Sequence, residues 1–184
     1  GNNGGDGFVL SKLLSEIGMP VTAVLMCGEP TTEISAQTYC DLSSESAEVL
    51  FLNDNIDKIF NKISTASVIV DSVFGTGFHG DLPPQIKACF SYAARSQGIK
   101  LAVDIPSGGN SVTGEIAEGT LQCAYTITFA NKKIGMEFSP LKDYCGETIV
   151  EDIGIPNTCY INIDHPLCRI EFDNMEKIIP KRSP

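Results

Sequence analysis

Two aspartates each close an apolar run: Asp71 follows Val68-Ile69-Val70, and Asp104 follows Leu101-Ala102-Val103. Each then enters glycine-rich chain, Gly75-Thr76-Gly77-Phe78-His79-Gly80-Asp81 after the first and Ile105-Pro106-Ser107-Gly108-Gly109 after the second. A third glycine-rich stretch, Asn2-Asn3-Gly4-Gly5-Asp6-Gly7, leads into a segment with helical spacing of apolar residues at Val9, Leu10, Leu13, Leu14 and Ile17. Carboxylates at such positions can give and take protons. Glycines let the backbone approach a ligand closely, and the unpaired N–H groups of a first helical turn attract anions, so a nucleotide phosphate is the natural guest of the first stretch. That stretch is neither the dinucleotide fingerprint nor a Walker loop, which needs a Lys-Ser/Thr pair after the glycines. Its side-chain oxygens, from Asn2, Asn3 and Asp6, stand where nucleotide loops usually have none. Read alone, it is also compatible with a plain helix start capped by Asn and Asp, and a lone aspartate at a strand end with an ordinary loop hydrogen bond.

The elements that must position these residues alternate between strand and helix. Val21 to Cys27, lying between Gly18-Met19-Pro20 and Gly28-Glu29-Pro30, reads as a buried strand. Thr31 to Leu50 reads as one helix, and Ala66 to Val70 as a second strand. Pro83-Pro84 opens a helix whose Ile86, Cys89, Phe90 and Ala93 share a face and which Gly98 ends. Ile99 to Val103, Ala124 to Phe129 and Glu147 to Val150 are the remaining strands, the last two with little room for helices between them. This order is that of a mostly parallel sheet covered by helices on both faces, an α/β fold whose ligands bind beyond the carboxyl ends of the strands. Asp71, Asp104 and all three glycine-rich stretches are therefore expected to face one crevice.

Composition narrows the classes further. The 184 residues, 42% hydrophobic and 20% charged, suffice for one substantial core. A formal net charge of −10 argues against nucleic acid and anionic membrane surfaces as partners, and no apolar stretch is long enough to span a bilayer. The seven cysteines form no C-x-x-C pair, which points to reduced, mostly buried thiols in a soluble intracellular protein rather than to a disulfide framework or a zinc site.

Taken in order, Asn2-Asn3-Gly4-Gly5-Asp6-Gly7, Val70-Asp71-Ser72-Val73-Phe74-Gly75-Thr76-Gly77, Ala102-Val103-Asp104-Ile105-Pro106-Ser107-Gly108 and Thr113-Gly114-Glu115 resemble the signatures of the YjeF N-terminal family, the NAD(P)HX epimerases. Thr128-Phe129, Lys132 to Gly135 and Gly146-Glu147 through Pro156 continue the match, which covers residues 1–156. The resemblance implies a Rossmann-like three-layer αβα sandwich, a homodimer, a bound potassium ion and a cytoplasmic setting. The implied reaction is conversion of (R)-NADHX and (R)-NADPHX to the S epimers at C6, for repair by a separate ATP- or ADP-dependent dehydratase. By the same resemblance the ion ligands are Asn3, Asp71 and Ser107, all oxygen donors suited to a hard alkali cation. The substrate contacts are Asn2, Asn3, Gly4, Gly5 and Asp6, then Gly75, Thr76, Gly77, Phe78, His79, Gly80 and Asp81, and finally Asp104. Asp104 is the candidate acid/base group, since inversion at C6 needs one group that donates and then recovers a proton. His79 reads equally well as a solvent-facing loop histidine.

The family carries a strand and a helical segment before the Asn-Asn-Gly-Gly-Asp-Gly stretch, and this sequence begins on that stretch. Residues 1–174 are expected to form the epimerase domain. The tail at 175–184 resembles the first residues of the dehydratase domain fused to it in two-domain relatives. The rival reading is a non-catalytic nucleotide-binding or dimeric scaffold domain of the same fold, in which ion and acid residues are lost; Asn3, Asp71, Asp104 and Ser107 are all present here.

Overall fold

The computed structural model describes residues 2–43 and 47–161. Residues 1–153 form one compact unit, and the unit that follows contributes one described element, the 310 turn Asn157–Tyr160. The boundary near 174 and the tail at 175–184 lie outside the described residues.

The first unit runs α1 (Asn2–Glu16), β1 (Thr22–Leu25), α2 (Glu33–Ser43), β2 (Glu48–Phe51), α3 (Ile56–Thr65), β3 (Val68–Asp71), α4 (Pro84–Arg95), β4 (Ile99–Val103), β5 (Tyr125–Phe129), α5 (Leu141–Cys145) and β6 (Glu147–Glu151). Among the described residues the named strands pair in parallel, in two groups, β1-β2 and β3-β4-β5-β6. The class is α/β with parallel sheets, as expected. Strand alternation assigns the two faces. Val24, Leu50, Ile69 and Ala102 join the cluster built on α3 and α4, with Ile59, Ile86, Cys89, Phe90 and Ala93 at its centre. Residues of the opposite parity, such as Ala23, Leu25 and Val103, are buried on the other face, where α1 packs on β1, β4 and α2. The helical stripe expected from Ile86 to Ala93 is buried throughout. Ile86 is 1% exposed, so Ile86→Ala should cost about 3 kcal/mol in chemical denaturation through lost burial and the cavity left behind.

Three expectations need correction. The glycine-rich stretch does not precede a helix; it is the first part of one, because α1 begins at Asn2. Packing overrides its poor helix propensity. Gly5 lies against Ser35 and Thr38 of α2, and a Cβ on Gly7 would collide with Ser72 Oγ. Second, Thr31 to Leu50 is not one helix: α2 ends at Ser43 and Glu48–Phe51 is a strand paired with β1. Third, α3 was not foreseen, although Asn55 caps it by accepting the Lys58 N–H at 2.9 Å, and Ile56, Ile59, Phe60 and Ile63 keep helical spacing.

Glu48 ties these overlooked elements together, accepting Lys58 at 2.6 Å and Lys62 at 2.5 Å from α3 and the Thr22 hydroxyl at 3.2 Å from β1. The two ammonium groups pull its carboxyl down from 4.5 to about 2. A depressed carboxyl stabilises the fold fully above its unfolded value, and that contribution fades as pH falls from 4.5 toward 2. Carbon-13 NMR of the Glu48 carboxyl should therefore give a midpoint near 2; a midpoint near 4.5 would show the pairs do not persist in solution.

Candidate functional site

Asp71 is the last residue of β3 and Asp104 immediately follows β4, its parallel neighbour. Both carboxylates thus lie at the same sheet edge, together with the chain that follows each strand.

Asp71 is 2% exposed and carries three hydrogen bonds. Oδ2 accepts the Ser107 N–H at 2.8 Å, and Oδ1 accepts the Ser107 hydroxyl at 2.5 Å and the Val73 N–H at 3.3 Å. Burial pushes its carboxyl up from the ordinary range while these bonds oppose the rise. Ser107, fully buried, accepts the Phe74 N–H at 2.8 Å, and Asn3 Nδ2 donates to the Phe74 carbonyl at 3.1 Å. Asn3, Asp71 and Ser107, far apart in sequence, are gathered around the backbone of Phe74. Asn3 Oδ1 is buried and has no hydrogen-bond partner among the described residues. A buried amide oxygen without a donor is costly, and together with the buried Asp71 carboxylate and Ser107 hydroxyl tied to the same loop it is the donor type that a hard cation takes. The described residues hold no cluster of three or more His, Cys, Asp or Glu side chains able to take a metal. The oxygen set is therefore the candidate ion site.

Asp104 is held differently. Its φ is 68°, and the Ile105 N–H reaches back to the Val103 carbonyl at 2.9 Å, closing a γ-turn of the rare positive-φ kind around the aspartate. Its own N–H continues the β4-β5 ladder to Ile127. Oδ1 meets Lys133 Nζ at 2.5 Å and the Thr128 hydroxyl at 3.3 Å. No described residue hydrogen-bonds Oδ2. A methyl group on Gly75 would lie 3.6 Å from that oxygen and 3.3 Å from Asn3 Cβ, so the lack of a side chain at Gly75 lets the Asp104 and ion-site residues come together. Asp6, on the second turn of α1, feels Asp104: burial, then the charge of Asp104, raise its carboxyl above the ordinary value. Gly4 faces open space, while the Asn2 side chain accepts the Thr32 hydroxyl at 3.1 Å.

The 75–81 segment serves two places. Gly75 abuts Asn3 and Asp104, whereas Phe78, His79, Gly80 and Asp81 line a cavity of about 490 Å³ with Gly108 and Glu115. His79 is exposed there, as in the loop-histidine reading. Thr76 is fixed to the next loop through its carbonyl, which accepts the Ser111 hydroxyl at 3.2 Å. Thr128 and Lys133 fall in stretches that continue the family resemblance, but sequence reasoning assigned them no role at the site. The available signal was a polar residue inside strand β5 with a lysine five positions on, at the carboxyl end of the strand beside Asp104. Cys89, Cys123 and Cys145 are buried free thiols, whereas Cys27 and Cys159 are exposed free thiols.

The fold is a parallel α/β fold with two carboxylates, Asp71 and Asp104, at the carboxyl edge of its four-stranded sheet. The chain belongs to the family of the YjeF-related protein N-terminus, whose sequence profile matches residues 1–135. It is 35% identical over 159 residues to the NAD(P)H-hydrate epimerase of Nitrosopumilus maritimus, covering 85% of this chain and 71% of that one. It is also 35% identical over 159 residues to the bifunctional NAD(P)H-hydrate repair enzyme Nnr of Pyrobaculum aerophilum, again covering 85% of this chain but 32% of the relative. The chain thus spans about a third of that bifunctional relative's length. The crystal structure of yeast ynu0, YNL200c, matches with a TM-score of 0.70 at 21% identity, over 94% of this chain and 72% of that one, and shares the fold. No described helix is long and apolar enough to cross a membrane.

Proposed function

We propose that this protein epimerises hydrated nicotinamide cofactors at C6, converting (R)-NADHX and (R)-NADPHX to their S epimers. The observation that carries the reading is the asymmetry of the Asp104 carboxylate: one oxygen is anchored, and the other faces Gly75 without a hydrogen-bond partner among the described residues. The names of the relatives support the same reaction.

In the proposed cycle Asp104 takes up a proton at Oδ2 and passes it to the C6 hydroxyl, which leaves as water. The N1 lone pair stabilises the cation as a ring iminium. Water adding to the opposite face of C6 then loses a proton that returns to the carboxylate, so the enzyme ends as it began. Asn2 to Asp6, Gly75 to Asp81 and Asp104 are the proposed substrate contacts, with open space over Gly4 where the cofactor backbone can approach. Asn3 Oδ1, Asp71 and Ser107 would hold potassium, which would supply fixed positive charge beside the glycine-rich segments. We extend the proposal to a cytoplasmic homodimer working with an ATP- or ADP-dependent dehydratase, an arrangement that fits the bifunctional repair enzymes among the relatives.

The test is R-to-S conversion in the presence of excess S-specific dehydratase, followed as NADH appears, with the spontaneous rate subtracted. The purified protein should exceed that background and respond to potassium over an ion of unsuitable size. A rate equal to background would end the epimerase reading.

A further inference from the structure

We propose that Lys133 is the positioning residue of Asp104, holding Oδ1 so that proton exchange with substrate runs through Oδ2; this rests on the epimerase reading. The ammonium has three donors, and the structure uses all of them: Asp104 Oδ1 at 2.5 Å, Thr128 Oγ1 at 2.8 Å and the Phe129 carbonyl at 3.0 Å. None is left for a ligand, so Lys133 acts on Asp104 rather than on substrate. The pair is largely withdrawn from water, with the lysine side chain 19% and the aspartate 14% exposed, which strengthens the attraction relative to a surface pair.

The backbone repeats the emphasis. Ala130, just beyond β5, has φ 62° and sits in a second γ-turn, closed by the Asn131 N–H to the Phe129 carbonyl at 2.7 Å. The Phe129 carbonyl is also the one that Lys133 grips. Two positive-φ turns at the ends of adjacent strands are thus joined by one ammonium. Such strain persists where surrounding contacts over-determine it, and it gathers at functional sites. Lys133 meets one oxygen of Asp104, and Asp6 on α1 lies near enough to feel its charge. When the Oδ2 proton departs with the C6 hydroxyl, negative charge develops on a carboxylate whose other oxygen already touches a cation, a preorganised stabilisation of the transition state.

The test compares Lys133→Met, Lys133→Gln, Asp104→Asn and Asp104→Asn/Lys133→Met in the intact protein. Lys133→Met and Lys133→Gln should each lower kcat by ~10-fold or more, with KM held within about twofold, since what is lost is transition-state rather than ground-state interaction. Lys133→Gln keeps donors without charge and guards against a folding defect in the methionine variant. The double variant should match Asp104→Asn within about twofold, because a residue acting through Asp104 has nothing left to act on. Multiplicative losses in the double variant, or a lysine effect on KM alone, would overturn the proposal. A readout free of catalysis is the nitrogen-15 signal of the Lys133 ammonium, which should be protected from solvent exchange in the parent and lose that protection in Asp104→Ala, where no acceptor remains at position 104. Protection that survives Asp104→Ala refutes the pairing. If protection depends on Asp104 in a protein lacking epimerase activity, the pairing stands and the epimerase reading falls.

Discussion

Replacing Asp104 with asparagine should lower the rate of R-to-S conversion by ~10²-fold or more, the usual worth of general acid/base catalysis, with the fold and ligand affinity kept. The substitution preserves size and leaves an amide oxygen for Lys133 and Thr128 to bond, but an amide cannot hand over and recover a proton. Loss of kcat with an unchanged KM is the signature of an interaction made in the transition state. Near-parental turnover would move the proton chemistry to His79 or to an ordered water. The exposed position of His79 makes it the weaker candidate.

The second large effect is structural. Asp71→Ala leaves the Ser107 N–H, the Ser107 hydroxyl and the Val73 N–H without their acceptor. Stranding buried donors that bonded a carboxylate should cost about 3 kcal/mol or more, read from the denaturation midpoint and slope. The same variant should lose any rise in melting temperature that potassium gives the parent, because the carboxylate is the only formal negative charge among the proposed ligands. Asp71→Asn separates the effects: it keeps the volume and part of the hydrogen bonding while removing the charge. A variant within about 1 kcal/mol of the parent that still responds to potassium would show that Asp71 neither pins the loops nor holds the ion.

Much of the site was legible because a parallel sheet sends the chain after every strand to one edge. Asp71 and Asp104 were marked by the apolar runs that end on them, and the register of β3 against β4 sets Asp71 opposite Ala102, two residues before Asp104 at the same edge. The elements that went unread failed for local reasons. Glu48–Phe51 is four residues long and starts with a charge, so it shows no clear alternation before it is paired with β1. The Asn2 to Gly7 segment becomes helical through tertiary contacts on Gly5 and Gly7 that no propensity scale contains. The Lys133 pairing was hidden for a third reason: residues 29 apart meet because β5 lies beside β4, a fact of topology rather than pattern.

The left-handed backbone at Asp104 has a consequence for how this domain would respond to selection. Glycine occupies that region freely, whereas a residue with a Cβ is strained there. Backbone strain alone would favour glycine at this position, but losing the carboxylate would leave the Lys133 ammonium without its counter-ion, so strain and ion pair act in opposite directions on one residue. Stabilised variants that keep their chemistry should instead accumulate changes elsewhere, with position 104 left under strain as the mark of a site retained for what it does.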